Sequence, residues 1–128
     1  MKTVLVIDDS ITWRLYYRDI LEAAGFAVTE AVNGLDGLEM AIGNRFDLLL
    51  LDINMPLMDG HAFLGALRRE PMCRATPVVV ISTETASASR EALYAAGANS
   101  YFVKPIDPAT LVAAAKSMTG TATLQLVP

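Results

Sequence analysis

The sequence is short of several things, and each scarcity removes a class of function. A single cysteine, Cys73, among 128 residues allows no disulfide within the chain and suits a reducing, cytoplasmic setting. Cys73 itself reads as an incidental loop or helix-end residue. Basic residues number ten, only three of them lysines, against fourteen acidic ones, for a net charge of -4. They form no stripe or run, so direct nucleic-acid binding is not expected, because phosphate contacts need clustered Lys and Arg. No apolar stretch approaches the roughly 20 residues that cross a bilayer, so no membrane insertion is expected. Met1-Lys2-Thr3-Val4 runs straight into a strand-like segment and does not read as a signal peptide. Internal repeats and low-complexity segments are missing too. The one histidine, His61, stands away from any metal-ligand spacing and is expected at the surface.

What is present is apolar and strongly patterned. A 53% apolar content is ample for one core in a chain of this length. Apolar runs alternate with helical patterns five times. Strands are expected near 3–8, 27–31, 47–52, 77–81 and 100–103, and helices near 11–24, 35–42, 61–69, 86–96 and 108–118. In the first helix Trp13, Tyr16, Tyr17, Ile20, Leu21 and Ala24 follow the amphipathic template, and Gly25 stands at the usual stop. Asp107 and Pro108 read as the N-cap and first residue of the last helix. Runs as apolar as Val4–Ile7 and Leu48–Leu51 read as strands buried on both faces of a parallel sheet. Such alternation implies an α/β fold with helices on both faces.

Three of these runs deliver charge at their carboxyl ends: Asp8-Asp9 after Ile7, Asp52 after Leu51, and Lys104-Pro105 after Val103. Open parallel sheets bind ligands just outside those ends. Crowded carboxylates repel one another unless a cation neutralises them, and hard oxygen ligands suit Mg2+. Asp9 and Asp52 suit direct ligation, with Asp8 acting through water. Taken alone, Asp8 and Asp9 read equally well as turn and capping residues. Asp52, isolated at the end of a four-leucine run, could attack phosphorus and form an acyl phosphate. The metal and Lys104 would then offset the charge on the phosphoryl oxygens. Ser82 and Thr83, directly after Val78–Ile81, offer a hydroxyl to such a group, or a helix cap.

Asp8-Asp9, the segment Asp52-Ile53-Asn54-Met55-Pro56-Leu57-Met58-Asp59-Gly60, Ser82, and the stretch from Ala95 to Lys104-Pro105 stand in one register. In order and spacing they resemble the response-regulator receiver domain, in particular its CheY-like members, over roughly residues 3–118. The resemblance implies a flavodoxin-like (βα)5 doubly wound fold with a five-stranded parallel sheet, as a receiver over 1–118 followed by a tail or linker start at 119–128. It implies Asp52 as phosphoacceptor, and Mg2+ (or Mn2+) held by Asp8, Asp9, Asp52 and the backbone carbonyl of Asn54. Lys104 becomes the phosphate-contacting lysine, in a Lys104–Pro105 bond that is often cis in the family. Pro105 and Gly60 take structural roles. Ser82, 22 residues before Lys104, takes the phosphate-contacting hydroxyl role, and Thr83 does not. Thr83 stands where relatives usually have Ala or Gly, and its bulk is expected to narrow access to Asp52. Tyr101 corresponds to the switch aromatic, which moves with Ser82. Asn54 and Glu84 correspond to positions that tune dephosphorylation.

The resemblance implies a phosphorylation-dependent switch in a two-component system, charged by a histidine kinase or phosphotransfer protein. It would be a non-enzyme that only assists its own phosphorylation and dephosphorylation. A stand-alone chemotaxis-type regulator with a downstream protein target is one version; the receiver module of a longer regulator with a DNA-binding or enzymatic effector domain is the alternative. A phosphatase of the haloacid dehalogenase type is a remote alternative, because Asn54 stands where that family has a second acid. A flavin mononucleotide carrier is poorer still, since Asp8-Asp9 would repel a phosphate. Between residues 92 and 118 only Lys104, Asp107 and Lys116 are charged. The fourth helix, fifth strand and fifth helix therefore present a weakly charged face, suited to a partner or a homodimer. Trp13, near the start of the first helix, could lie near the acidic site, but core or surface packing is the favoured reading.

Overall fold

The computed structural model describes residues 1–120. Its elements run β1 (Thr3–Ile7), α1 (Ile11–Ala23), β2 (Ala27–Ala31), α2 (Gly34–Gly43), β3 (Leu48–Leu51), α3 (Gly60–Arg69), β4 (Val78–Ser82), α4 (Ser87–Ala96), β5 (Ser100–Val103) and α5 (Pro108–Met118). The strands form one parallel sheet in the order β2-β1-β3-β4-β5. The expected fold is thus observed, with element ends displaced by a residue at several places. Two of those displacements matter: β1 and β3 stop at Ile7 and Leu51, so Asp8 and Asp52 stand outside the ladder. A 3-10 turn at Pro71–Cys73 was not anticipated. Of the expected tail, Thr119 caps α5, and residues 121–128 lie outside the described residues.

Strand alternation divides the core into two layers. Val4, Val6, Leu48, Leu50, Val79 and Ile81 face α1 and α5, where they meet Tyr17, Leu21, Leu111 and Ala115. Leu5, Ile7, Leu49, Leu51, Val78 and Val80 face the other way, against Ala41, Phe63, Leu64, Leu67 and Leu93 of α2, α3 and α4. Both faces are covered, which is why the inner strands carry no polar alternation. The chain leaves β1 toward β2 on one side and resumes at β3 on the other. That reversal opens a crevice at the carboxyl end of the sheet between β1 and β3.

Helix starts are capped by side chains: Ser10 accepts from Trp13 N, Asn33 from Asp36 N, Asp59 from Ala62 N and Asp107 from Thr110 N. Each such cap contributes about 1 kcal/mol. At the opposite end of the sheet, Arg68 donates to the carbonyls of Cys73, Thr76 and Gly97 at 2.7, 2.8 and 2.7 Å. Cys73, at a helix end as expected, is buried there, and its thiol donates to the Ala41 carbonyl at 3.6 Å. Burial holds that thiol's pKa above its ordinary value. His61 is exposed. Among the described residues no helix is long and apolar enough to cross a membrane.

The loop from Asp52 to Gly60 folds back on itself. Leu57 has φ +70°, a region costly for a residue with a side chain, and Met58 N donates to the Pro56 carbonyl at 2.8 Å across it. Gly60 N closes the loop on the Ile53 carbonyl at 2.8 Å. A Cβ on Gly60 would stand 2.9 Å from Ile53 Cα and 3.2 Å from the Asp52 carbonyl, whereas one on Gly65, within α3, would meet only Arg69 Nη1 at 3.8 Å. Gly60→Ala is therefore expected to cost about 1–3 kcal/mol by overpacking. Gly65→Ala is expected to gain about 0.5–1 kcal/mol from helix propensity. Urea unfolding of the two variants measures this, and equal shifts would contradict the loop closure as the constraint.

Candidate functional site

Strand register assembles the site. Ile7 and Leu51 are partners across the β1–β3 pair, so Asp8 and Asp52 leave the sheet side by side. Ser82 and Val103 are partners across β4–β5, so Ser82 ends beside Lys104, whose backbone N donates to the Ser82 carbonyl at 2.8 Å. Alternation then sorts the side chains by face. Asp8 continues the parity of Val4 and Val6, Asp52 that of Leu48 and Leu50, and Lys104 that of Phe102, all on the α1/α5 side. Ser82 continues Val78 and Val80, and Tyr101 lies with them, on the α4 side. The charged cluster and the hydroxyl–aromatic pair thus approach one crevice from opposite faces of the sheet.

Asp8 is 1% exposed and Asp52 8%. Lys104 Nζ lies 2.9 Å from Asp8 Oδ2 and 3.7 Å from Asp52 Oδ1, on a side chain only 6% exposed. The Ser10 backbone N–H holds the other Asp8 oxygen at 2.9 Å, and the Ile53 N–H holds Asp52 Oδ1 at 2.9 Å. The Lys104–Pro105 bond is cis. Burial first, and then the neighbouring Asp8 carboxylate, push the Asp52 carboxyl up to about 6, against the opposing pull of Lys104 and the Ile53 N–H. Asp8, Asp9 and Asp52 each offer an oxygen within 4.8 Å of the others. Three carboxylates face one ammonium, all oxygen donors, with Asp9 exposed and open to solvent. That donor set and its surplus negative charge fit a hard divalent cation such as Mg2+.

Beyond this cluster, Ser82 is fully buried and its Oγ accepts from Glu84 N at 3.2 Å. Tyr101 is 7% exposed, with its hydroxyl donating to the Glu84 carbonyl and the Arg90 guanidinium carbon 4.9 Å from its ring centroid. Burial raises the Tyr101 phenol's pKa. Thr83 and Asn54 are exposed on the two loops that flank the crevice, and Glu84 is half-buried.

Two residues of α1 belong to the site as well. Trp13 does both things its position allowed: it packs on Tyr17 and places its ring centroid 4.8 Å from Lys104 Nζ. Arg14, not singled out, is 9% exposed and donates to the Asp8 carbonyl at 2.8 Å and to Glu30 Oε1 at 3.0 Å. The available signal was position: a helix beginning at Ile11, directly after the acid pair, must wrap its first turn around the site.

The raised Asp52 carboxyl carries a stability consequence. The folded chain holds that proton more tightly than the unfolded chain, whose value is near 3.8. Its ionisation therefore lowers stability as pH rises from about 4 to about 6, and the whole cost is present above that. Asp52→Asn in the metal-free protein is expected to raise the unfolding free energy by about 2 kcal/mol at pH 7, with the gain fading as pH falls from about 6 to about 4. Added Mg2+ should stabilise wild type more than this variant. Urea titrations at pH 4 and pH 7 test it; a gain independent of pH rules out charge as the cause.

Comparison with known proteins adds to this geometry. The family model described as the response regulator receiver domain matches residues 4–116. The chain is 41% identical over 115 residues to the transcriptional regulatory protein PrrA of Mycobacterium tuberculosis, covering 90% of this chain and 48% of that protein. It thus spans about half the length of the PrrA proteins it matches. The structure of the chemotaxis response regulator CheY4 of Vibrio cholerae is similar at TM-score 0.87 and 36% identity, over 92% of this chain and 98% of that one. The receiver domain of sensor histidine kinase PA1611 from Pseudomonas aeruginosa shares the fold at TM-score 0.87 and 24% identity, over 93% of this chain and 98% of that one; its structure holds a magnesium ion in the active site cleft.

Proposed function

This chain belongs to the response regulator receiver domain family, and on that premise we propose that Asp52 is its phosphoacceptor in two-component signalling. The receiver assignment removes the haloacid dehalogenase and flavin-carrier readings, and this is not a family of catalytic enzymes. The observation that carries the proposal is the buried Asp52 carboxylate just past the end of β3, with Lys104 Nζ 3.7 Å away and two further acids beside it.

In the proposed step an oxygen of Asp52 attacks the phosphorus of a kinase phosphohistidine. The new P–O bond forms as the P–N bond breaks, and the imidazole leaves with the electron pair. Asp8, Asp9, Asp52 and the Asn54 carbonyl would hold Mg2+, which would supply positive charge where the two anions meet. Lys104 then exchanges its carboxylate contacts for the phosphoryl oxygens. Ser82, buried and one residue beyond β4's last core position, donates its hydroxyl to the same group. Tyr101 and the Glu84 loop respond on the α4 side, altering the α4-β5-α5 face that a target, an effector domain or a second copy would read. Cytoplasmic localisation accompanies this role. PrrA is about twice as long as the matched region, whereas CheY4 is matched over 98% of its chain, and the stand-alone version is the one we propose.

Incubation with Mg2+ and a small acyl phosphate is expected to add one phosphoryl group to wild type and none to Asp52→Ala, read by intact-protein mass. An unmodified wild type would sink the proposal. Thr83→Ala is expected to speed phosphorylation severalfold by opening access to Asp52, and an unchanged rate assigns Thr83 no gating role.

A further inference from the structure

We infer that Trp13 is a positioning residue for Lys104: the face of its indole keeps the ammonium in the crevice once the charge of Asp8 and Asp52 is engaged elsewhere. This rests on the phosphoacceptor reading above. Among the described residues, Lys104 Nζ lies against Asp8 Oδ2 at 2.9 Å, Asp52 Oδ1 at 3.7 Å and the Trp13 ring centroid at 4.8 Å. The two carboxylates are the groups that must turn to a metal ion and a phosphoryl group for the reaction to proceed. A bound cation would cancel their pull on the lysine and add repulsion of its own. The indole face is the one neighbour whose attraction is not spent in that exchange. A lysine stem this flexible would otherwise leave for water, where its ammonium is strongly solvated.

The ring is held firmly enough to serve. It stacks on Tyr17 at 5.8 Å between centroids and 23° between planes, and meets Tyr16 edge-on at 5.6 Å. Tyr17 is 2% exposed, and the Tyr16 hydroxyl donates to the Ile106 carbonyl at 2.6 Å, directly behind the Lys104–Pro105 segment. The Trp13 backbone N–H is tied to the helix cap at Ser10, two residues from Asp8. One aromatic cluster therefore joins the start of α1 to the chain just after Lys104. A desolvated cation over an indole face is bound more strongly than an exposed one, and Lys104 is desolvated.

The test compares Trp13→Phe, Trp13→Met and Trp13→Leu, each with Lys104 and with Lys104→Met, after circular dichroism confirms the fold. With a small acyl phosphate and saturating Mg2+, Trp13→Leu and Trp13→Met should phosphorylate about three- to tenfold more slowly. Trp13→Phe, which keeps a π face, should retain most of the rate. None of the three should slow the Lys104→Met protein further. Trp13 is the only tryptophan, so its emission in metal-free protein should also shift on Lys104→Met. Equal losses in Phe and Leu, a loss that persists without Lys104, or an emission blind to Lys104 would each overturn the inference. A wild type that takes no phosphoryl group would instead sink the phosphoacceptor reading, and the emission measurement would still decide the Trp13–Lys104 contact.

Discussion

Three carboxylates crowded at the edge of a desolvated crevice, with a single ammonium between two of them, are the constraint around which the rest of this structure is arranged. Like charges so close are held together only by what surrounds them. Here the surroundings are the Ser10 and Ile53 backbone N–H groups, the Lys104 ammonium, and Arg14, which anchors the Asp8 carbonyl. The balance remains negative, and Asp52 records it in a carboxyl raised to about 6. A site under this tension is poised for cations and for groups that bring them.

The sheet sorts the residues around that local tension onto its two faces. Because parallel strands place alternate residues on opposite faces, Asp8, Asp52 and Lys104 come out on the α1/α5 side, and Ser82 and Tyr101 on the α4 side. The Ser82–Lys104 backbone bond is the bridge between them. Its inner strands are buried on both sides, and the loop after Asp52 is tightly closed at Gly60.

Much of this was legible in advance, for identifiable reasons. Val4–Ile7 and Leu48–Leu51 lack polar alternation, which only a doubly covered strand tolerates, and so the parallel sheet followed. Asp107-Pro108 announced the start of α5, and the observed cap agrees. The burial of Cys73 and the contact of Trp13 with the site were not decided by local pattern because their neighbours are remote in sequence: Ala41 is 32 residues from Cys73, and Lys104 is 91 from Trp13. Arg14 carries no motif of its own, and its reach to Asp8 and Glu30 accompanies its burial.

The sequence alone determined the alternation of strands and helices, the acids and the lysine at strand ends, and the register with a known family, since each is carried by local pattern and spacing. Tertiary structure decided which of those residues share a face, how deeply Asp52 is desolvated, and that an indole from α1 stands over Lys104. Those are consequences of strand order and packing. No local pattern encodes them, because burial and charge at a site are set by atoms that arrive from elsewhere in the chain.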